Sequence, residues 1–383
     1  LHTEILRRGY SRGYMYRIMA VSKYENFKKT NSTWFNPKIV SVGGGTGLSA
    51  MLRGIKKYTS DITAVVTVAD DGGGSGVLRE DLKMPPPGDI RNCILALSEV
   101  EPIMEKLLMY RFDSGLLEGQ SFGNLLVAAM TGIFSGDFVE AVRNVCKVLN
   151  ITGKVFPVTA SDVELVATLE NGQTVVGESR IGSSVSDHNS HIKKVRLRSK
   201  SDYMMPVEPL KEILDEVRKA DLITLGPGSL YTSVLPNLVI GDLKDAIMES
   251  KAPVVYINNI MTQPGETDEY TAFDHVLAIL DHTYDSFIDY CIVNTGKISG
   301  ALLEKYADDG SCPVAYDKER FGSTDITVVE RDLSTVDGNG FVRHDINVLA
   351  DTLLDIININ RNEQGLKVSS EGVLLYNPKT RRR

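Results

Sequence analysis

The sequence predicts an α/β protein: a mainly parallel sheet with helices on both faces, carrying a small β-rich insertion. Three observations lead there. Short β-branched runs such as KIVSV and ITAVVTV lack polar alternation, as strands covered on both faces do. Several of these runs end in glycine-rich turns that open into segments with helical apolar spacing. Between Lys154 and Leu197 the pattern changes to short strands with a hairpin signal.

Taken in order, residues 1–37 read as a basic, Tyr-rich arm. Its first 29 residues carry seven Lys and Arg against two Glu, without the apolar core of a secretory signal. A poorly ordered arm is expected; contact with a membrane just inside an anchor preceding Leu1 is the alternative. From Lys38, KIVSV is a strand, LSAMLRGIKKY a helix and ITAVVTV (Ile62–Val68) the next strand, a right-handed βαβ unit. SFGNLLVAAMTGIF and DFVEAVRNVCKVLN read as helices. KVFPV, VELVATLENGQTVVGES and HIKKVRLRS read as strands of an insertion spanning about 154–200, with Asn171-Gly172 at a hairpin turn. The charges of KKVRLR are expected on the solvent face of a strand rather than as a nucleic-acid patch. LKEILDEVRKA, LKDAIMES and EYTAFDHVLAILDH read as helices, and DLITLGPGSL, APVVYINNI and DYCIVNT each contain a strand. One domain is thus expected over 38–365, with a tail over 366–383.

Bulk properties narrow the function classes. Of 383 residues, 42% are hydrophobic and 24% charged, which allows a sizeable core and excludes disorder as the overall state. No apolar run approaches the roughly 20 residues that cross a bilayer. Cys93, Cys146, Cys291 and Cys312 show no C-x-x-C spacing, so a reducing, cytoplasmic setting is expected rather than disulfides or zinc. The net charge is −8 although the arm is basic and Lys379, Arg381, Arg382 and Arg383 end the chain, so the body between is strongly acidic. That argues against nucleic acid as a partner.

The chemistry gathers in four segments. In SVGGGTGLSA, residues Gly45 to Ala50 satisfy G-x-G-x-x-A directly after a strand and at a helix start, where backbone N–H groups favour phosphate. Asp70 lies 23 residues after Gly47, where an acid can meet ribose hydroxyls. Its neighbour Asp71, and Gly72 to Gly76 with Ser75 among them, suggest a second ligand group or a metal. Adjacent aspartates point in different directions and need not share a role. In PPPGDIRNC, Asp89 is a plausible N-cap for a helix from Ile90, with Arg91 and Asn92 in its first turn; the residues fit either a cap paired with Arg91 or an anion site. LGPGSLYTSVLP repeats the logic of the first loop, with Gly226, Pro227, Gly228 and Ser229 offering a backbone nest and hydroxyls. In a doubly wound sheet both loops lie at the carboxyl edge, where ligands bind. Tyr270, in NNIMTQPGETDEYTAFDH, can stack on a base or merely keep a structural hydrogen bond. His188 and His191 form H-x-x-H without a third ligand, and His275 and His282 read as structural. There is no G-x-x-x-x-G-K-[ST] and no nucleophile elbow.

The segments GGGTGL, TVADDGGGSG, PPGDIRN, SFGNLL, GPGSLYTSVLPNL and MTQPGETDEYTAFDH, in this order, resemble the YvcK-like gluconeogenesis-factor family, from about Lys38 to about Val348. The resemblance implies a Rossmann-like three-layer α/β/α fold with a doubly wound, mainly parallel sheet. It implies a cytoplasmic regulator that binds UDP-N-acetylglucosamine, needs no cofactor, and supports cell shape and wall synthesis on gluconeogenic carbon. Partner proteins of wall-precursor synthesis and a homo-oligomeric state are expected with it. The family is related to CofD, the 2-phospho-L-lactate transferase, whose acidic site engages the acceptor and which uses a divalent metal. Carried over by motif, the phosphate loops are Gly44, Gly45, Thr46 and Gly47 and Gly226 to Ser229, the acidic site is Asp70 and Asp71, Asn124 belongs to SFGNLL, Tyr270 is the base-side contact and Arg343 a diphosphate contact. Gly74 departs from the family's frequent Ser, which leaves Ser75 to supply that hydroxyl. Two hypotheses result: a nucleotide-sugar-binding regulator, or a CofD-type phosphoryl or nucleotidyl transferase with Mg2+ on Asp70 or Asp71. An NAD-dependent oxidoreductase is weakened by the lack of a hydride-transfer dyad.

Overall fold

The computed structural model describes residues 36–182 and 190–363. The expectations for the arm, for His188 and for the tail from 366 fall outside them. The strands are β1 (Ile39–Gly43), β2 (Ile62–Val66), β3 (Lys154–Pro157), β4 (Val163–Leu169), β5 (Thr174–Val176), β6 (Ile192–Ser199), β7 (Leu222–Leu225), β8 (Val254–Ile257), β9 (Tyr290–Asn294), β10 (Thr327–Arg331), β11 (Ser334–Val336) and β12 (Val342–His344). The helices are α1 (Gly45–Ile55), α2 (Gly73–Leu82), α3 (Gly88–Leu97), α4 (Pro102–Met109), α5 (Phe122–Ile133), α6 (Phe138–Val148), α7 (Glu178–Ile181), α8 (Lys211–Arg218), α9 (Leu235–Leu238), α10 (Gly241–Glu249), α11 (Ala272–His282), α12 (Gly300–Asp308), α13 (Lys318–Phe321) and α14 (Ile346–Glu363). No helix among the described residues is long and apolar enough to cross a membrane.

Seven strands form one parallel sheet in the order β10-β9-β8-β7-β1-β2-β3. The missing polar alternation has a direct cause. Successive residues of a strand face opposite sides of the sheet, and here both sides are core. Val40, Val42 and Val65 join one apolar cluster, while Ile39, Ala64 and Val66 join the other. Helices α1, α3, α6 and α14 cover the second face; α8, α10 and α11 cover part of the first. On that first face the insertion replaces helices near β2 and β3: Val163, Leu165, Ala167, Ile192 and Val195 pack into the same cluster.

The insertion is smaller than its expected span. KVFP is not part of it but forms β3, the parallel edge strand beside β2. Val155 and Phe156 bury into opposite faces, the signature of a central-sheet strand. Pro157 is tolerated because an edge strand has one unpaired side. The antiparallel sheet begins at Val163, in the order β5-β4-β6, and Asn171-Gly172 makes its turn with Gly172 at φ +85. Lys193, Lys194 and Arg196 are exposed, and Arg198 pairs with Glu164 at 2.6 Å. A register shift at Thr168/Leu169 puts two residues, Lys193 and Lys194, between inward-facing Ile192 and Val195.

Strand order places the site. From β1 the chain builds β2 and β3 to one side, then returns to β7 on the other and continues outward to β10. The reversal falls between β1 and β7, which are paired directly from Ile39↔Leu222 to Val42↔Leu225. The crevice beyond the carboxyl ends of such strands is where open α/β sheets bind ligands.

Candidate functional site

Both glycine loops stand at this switch point, and they touch. A Cβ on Gly47 would lie 2.8 Å from the Pro227 carbonyl oxygen, and one on Gly228 3.2 Å from the Gly44 oxygen. Glycine at 47 is therefore demanded by backbone packing between the loops, in addition to any ligand. Gly45 and Gly226 adopt φ +69 and +77, the left-handed region that favours glycine, and the Gly226–Pro227 peptide is cis. Gly44, at the N-cap of α1, has no side chain to cap the helix. The Gly45 N–H donates to Asp89 Oδ2 at 2.7 Å. The next first-turn amides, of Thr46 and Gly47, meet no acceptor among the described residues. They are exposed or half-buried, as an anion-binding helix start requires.

The second loop also carries a carboxylate. Ser229 precedes one wide turn, Leu230–Val234, that runs into α9. Buried Glu266 accepts from the Tyr231 N–H at 3.3 Å, the Thr232 hydroxyl at 3.1 Å and Gln263 Nε2 at 2.5 Å. Asp89 is not an N-cap: α3 begins at Gly88 with Pro87 before it, which leaves Asp89 in the first turn reaching across to loop one. Nor does a hydrogen bond join it to Arg91, whose Nη1 donates to Ser121 Oγ at 2.6 Å and Nη2 to Asn92 Oδ1 at 2.7 Å. Arg91 Nε, Asn124 Oδ1 and Gln120 Oε1 are buried without a protein partner, so this wall offers polar atoms beyond those the fold uses.

The two aspartates diverge, as adjacent residues should. Asp71 Oδ1 and Oδ2 accept from the Ser179 and Glu178 N–H groups at 2.8 and 3.1 Å, capping α7 of the insertion. Asp70 accepts from Gly72 N at 2.9 Å and from the Ser75 hydroxyl. Ser75 is thereby buried against Asp70, and the open hydroxyl expected of it is not there. With Asp71 turned to the insertion, the pair does not converge on one ion. Among the described residues no three His, Cys, Asp or Glu side chains gather in a metal-holding arrangement. Arg79 ties the same region together: buried on α2, it pairs with Asp162 at 2.7 Å and reaches the carbonyls of Ala69, Asp70 and Val163.

Burial dominates the electrostatics. It pushes Asp89 up to about 6, Glu266 to about 7 and Glu178 to about 8, and raises Asp70. Repulsion among these acids adds to it. An acid raised in the folded state binds more protons there than in the unfolded chain. Its effect on stability is therefore favourable at low pH and is lost as pH rises from about 4 toward the folded values. Thermal melts of the unliganded protein should show stability falling between pH 5 and 8 more steeply than in a variant with Asp89→Asn and Glu178→Gln. Equal slopes would show that these acids are not perturbed.

Two residues carried over by resemblance are engaged locally. The Tyr270 hydroxyl meets the Tyr231 hydroxyl at 2.8 Å and its ring stands edge-on to His275, with centroids 5.5 Å apart. Only the half-buried ring is left for stacking on a ligand. Arg343 is exposed on β12, and its recorded contacts, Asp337 at 3.1 Å and the Phe341 ring, lie within its own hairpin. Of the rest, Gly44–Gly47 and Gly226–Ser229 meet directly, Asp89 links the first loop to the wall of Arg91, Asn92 and Asn124, and Asp70 adjoins Asp89 electrostatically. Arg79, Glu178 and Glu266 were not legible: apart from Gln263 beside Glu266, their partners are distant in sequence or belong to backbone.

The comparisons with known proteins agree with this frame. The model of the family 2-phospho-L-lactate transferase CofD matches residues 39–334. A protein of Thermoanaerobacterium thermosulfurigenes is 54% identical over 321 residues, covering 84% of this chain and 97% of its own length. The gluconeogenesis factor of Bacillus subtilis strain 168 is 47% identical over 322 residues, 84% of this chain and 98% of that one. The crystal structure of protein BH3568 from Bacillus halodurans superposes with a TM-score of 0.78 at 44% identity, over 84% of this chain and all of that one. The chain belongs to the CofD family, among its gluconeogenesis-factor members.

Proposed function

We propose that the chain binds a nucleotide sugar of the UDP-N-acetylglucosamine class in the crevice between its two glycine loops and acts as a cytoplasmic regulator of wall-precursor supply during gluconeogenic growth. The observation that carries the reading is the meeting of both loops at the β1/β7 switch point, with the Thr46 and Gly47 amides open at the start of α1. In this reading the diphosphate lies along those amides, Asp70 accepts from ligand hydroxyls, and the Tyr270 ring flanks the base. Partner enzymes and self-association belong to the same proposal.

The second reading is a CofD-type transfer, favoured by the family that the chain belongs to. A magnesium ion would then rest on Asp70 and ligand phosphates, since this ion usually needs only one or two protein carboxylates. It would supply charge neutralisation on the transferred phosphoryl group. Calorimetric titration with UDP-N-acetylglucosamine and with GDP, each with and without magnesium, separates the two. Saturable, metal-independent binding of the UDP-sugar without turnover is expected. Binding of GDP alone, only with metal and followed by transfer, contradicts it. Asp70→Asn should weaken the UDP-sugar about tenfold or more while leaving Tm unchanged or slightly higher, because it removes a half-buried charge. A large fall in Tm would instead make Asp70 structural.

A further inference from the structure

Each anion-binding loop already holds one of the protein's own negative charges. Asp89 accepts from the Gly45 amide at 2.7 Å, and Glu266 accepts from Tyr231 N and the Thr232 hydroxyl. The Gly45 amide opens α1, where backbone potential is most positive, while the Tyr231 and Thr232 donors lie in the wide turn that follows the second loop. Asp70 adds to the field on Asp89, and Asp70, Asp89 and Glu266 all act on Glu178. The nearby cations offset this only in part. Arg79 is paired with Asp162, while Arg91, bonded to neutral Ser121 and Asn92 with Arg111 close by, keeps its charge and draws Asp89 down, yet Asp89 and Glu178 both stay raised. The crevice therefore presents N–H donors to phosphate oxygens in a field that resists additional net negative charge.

That field distinguishes two kinds of phosphate ligand. An uncapped terminal phosphate loses a second proton near pH 6, as a phosphomonoester does, and carries about −1.5 to −2 at neutrality. A phosphate esterified on both sides carries a single charge and keeps it. Resting on the nucleotide-sugar reading above, we propose that Asp89 and Glu266 are specificity-determining residues that select a diphosphodiester, a nucleoside diphosphate capped by an uncharged sugar, against uncapped nucleoside di- and triphosphates. Selection acts by repulsion of the extra charge, so the protein admits the capped compound without an elaborate sugar pocket.

The test is titration of the full chain at pH 7.5 with UDP-N-acetylglucosamine, UDP and UTP, for the wild type, Asp89→Asn and Glu266→Gln. Asn at 89 keeps an oxygen for the Gly45 amide, Gln at 266 keeps one for the Tyr231 amide while the Thr232 hydroxyl must turn to accept, and melting curves check that each variant is folded. The wild type should prefer the capped ligand over UDP by about tenfold or more, and over UTP by more again. Asp89→Asn should narrow those ratios about tenfold, chiefly by tighter binding of UDP and UTP. Glu266→Gln should act in the same direction. Equal affinity of the wild type for UDP and the UDP-sugar overturns the inference while leaving the nucleotide reading standing. So does an unchanged ratio in both folded variants, which would assign the preference to sugar contacts. Absence of binding by all three ligands overturns the nucleotide reading and the inference with it.

Discussion

Arg79→Ala is expected to destabilise the protein by about 3 kcal/mol, the cost of leaving several buried hydrogen-bonding groups unmatched. Arg79 is 4% exposed, and its guanidinium serves Asp162 together with the carbonyls of Ala69, Asp70 and Val163. It therefore joins α2 and the loop after β2 to the first strand of the insertion. Asp162 itself is 38% exposed, so the loss comes mainly from the carbonyls and little from the ion pair. Arg79→Lys should recover only a minor part, since one ammonium cannot reproduce a planar fork of donors. Urea denaturation measures both. A loss under about 0.5 kcal/mol for the alanine variant would show that the guanidinium does not hold the insertion to the sheet.

Gly47→Ala should abolish ligand binding while the chain still folds. The added carbon meets the Pro227 carbonyl oxygen at 2.8 Å and its carbon at 3.0 Å, backbone atoms that cannot rotate away. The loops must part, which costs about 1–3 kcal/mol as overpacking does and moves the Thr46 and Gly47 amides off their common target. Gly132→Ala is the control. Its Cβ would meet nothing within 4 Å, and it lies in α5 without a positive φ. That substitution should be neutral or stabilise by up to about 1 kcal/mol. Melting curves and calorimetry on the two variants give the comparison, and retained binding by Gly47→Ala would detach the first loop from ligand recognition.

What the sequence disclosed, and what it hid, follows from the range of the interactions. β1, β2 and β7 were readable because two-faced burial leaves continuous apolar runs within five residues. β3 misled because KVFP is as short as the strands of the insertion, and its parallel partner, β2, lies far back in the chain. The glycine loops were visible as composition, but the reason for glycine at 47 is a carbonyl at Pro227, brought close only by the pairing of β1 with β7. Asp89 looked like a cap because local sequence shows the helix it starts and not the Gly45 amide it reaches, 44 residues away. The split roles of Asp70 and Asp71 were foreseeable in kind, since neighbouring side chains diverge. That Asp71 serves α7 of the insertion was not. Arg343 was placed by motif alone; its ion pair with Asp337, six residues away, ties it to its own hairpin.

The claim that the touching glycine loops form a nucleotide-sugar site is tested most directly by titrating UDP-N-acetylglucosamine into the wild type and folded Gly47→Ala, without metal. The account predicts saturable one-to-one binding to the wild type and none to the variant. No saturable binding to the wild type, or undiminished binding to the variant, would contradict it.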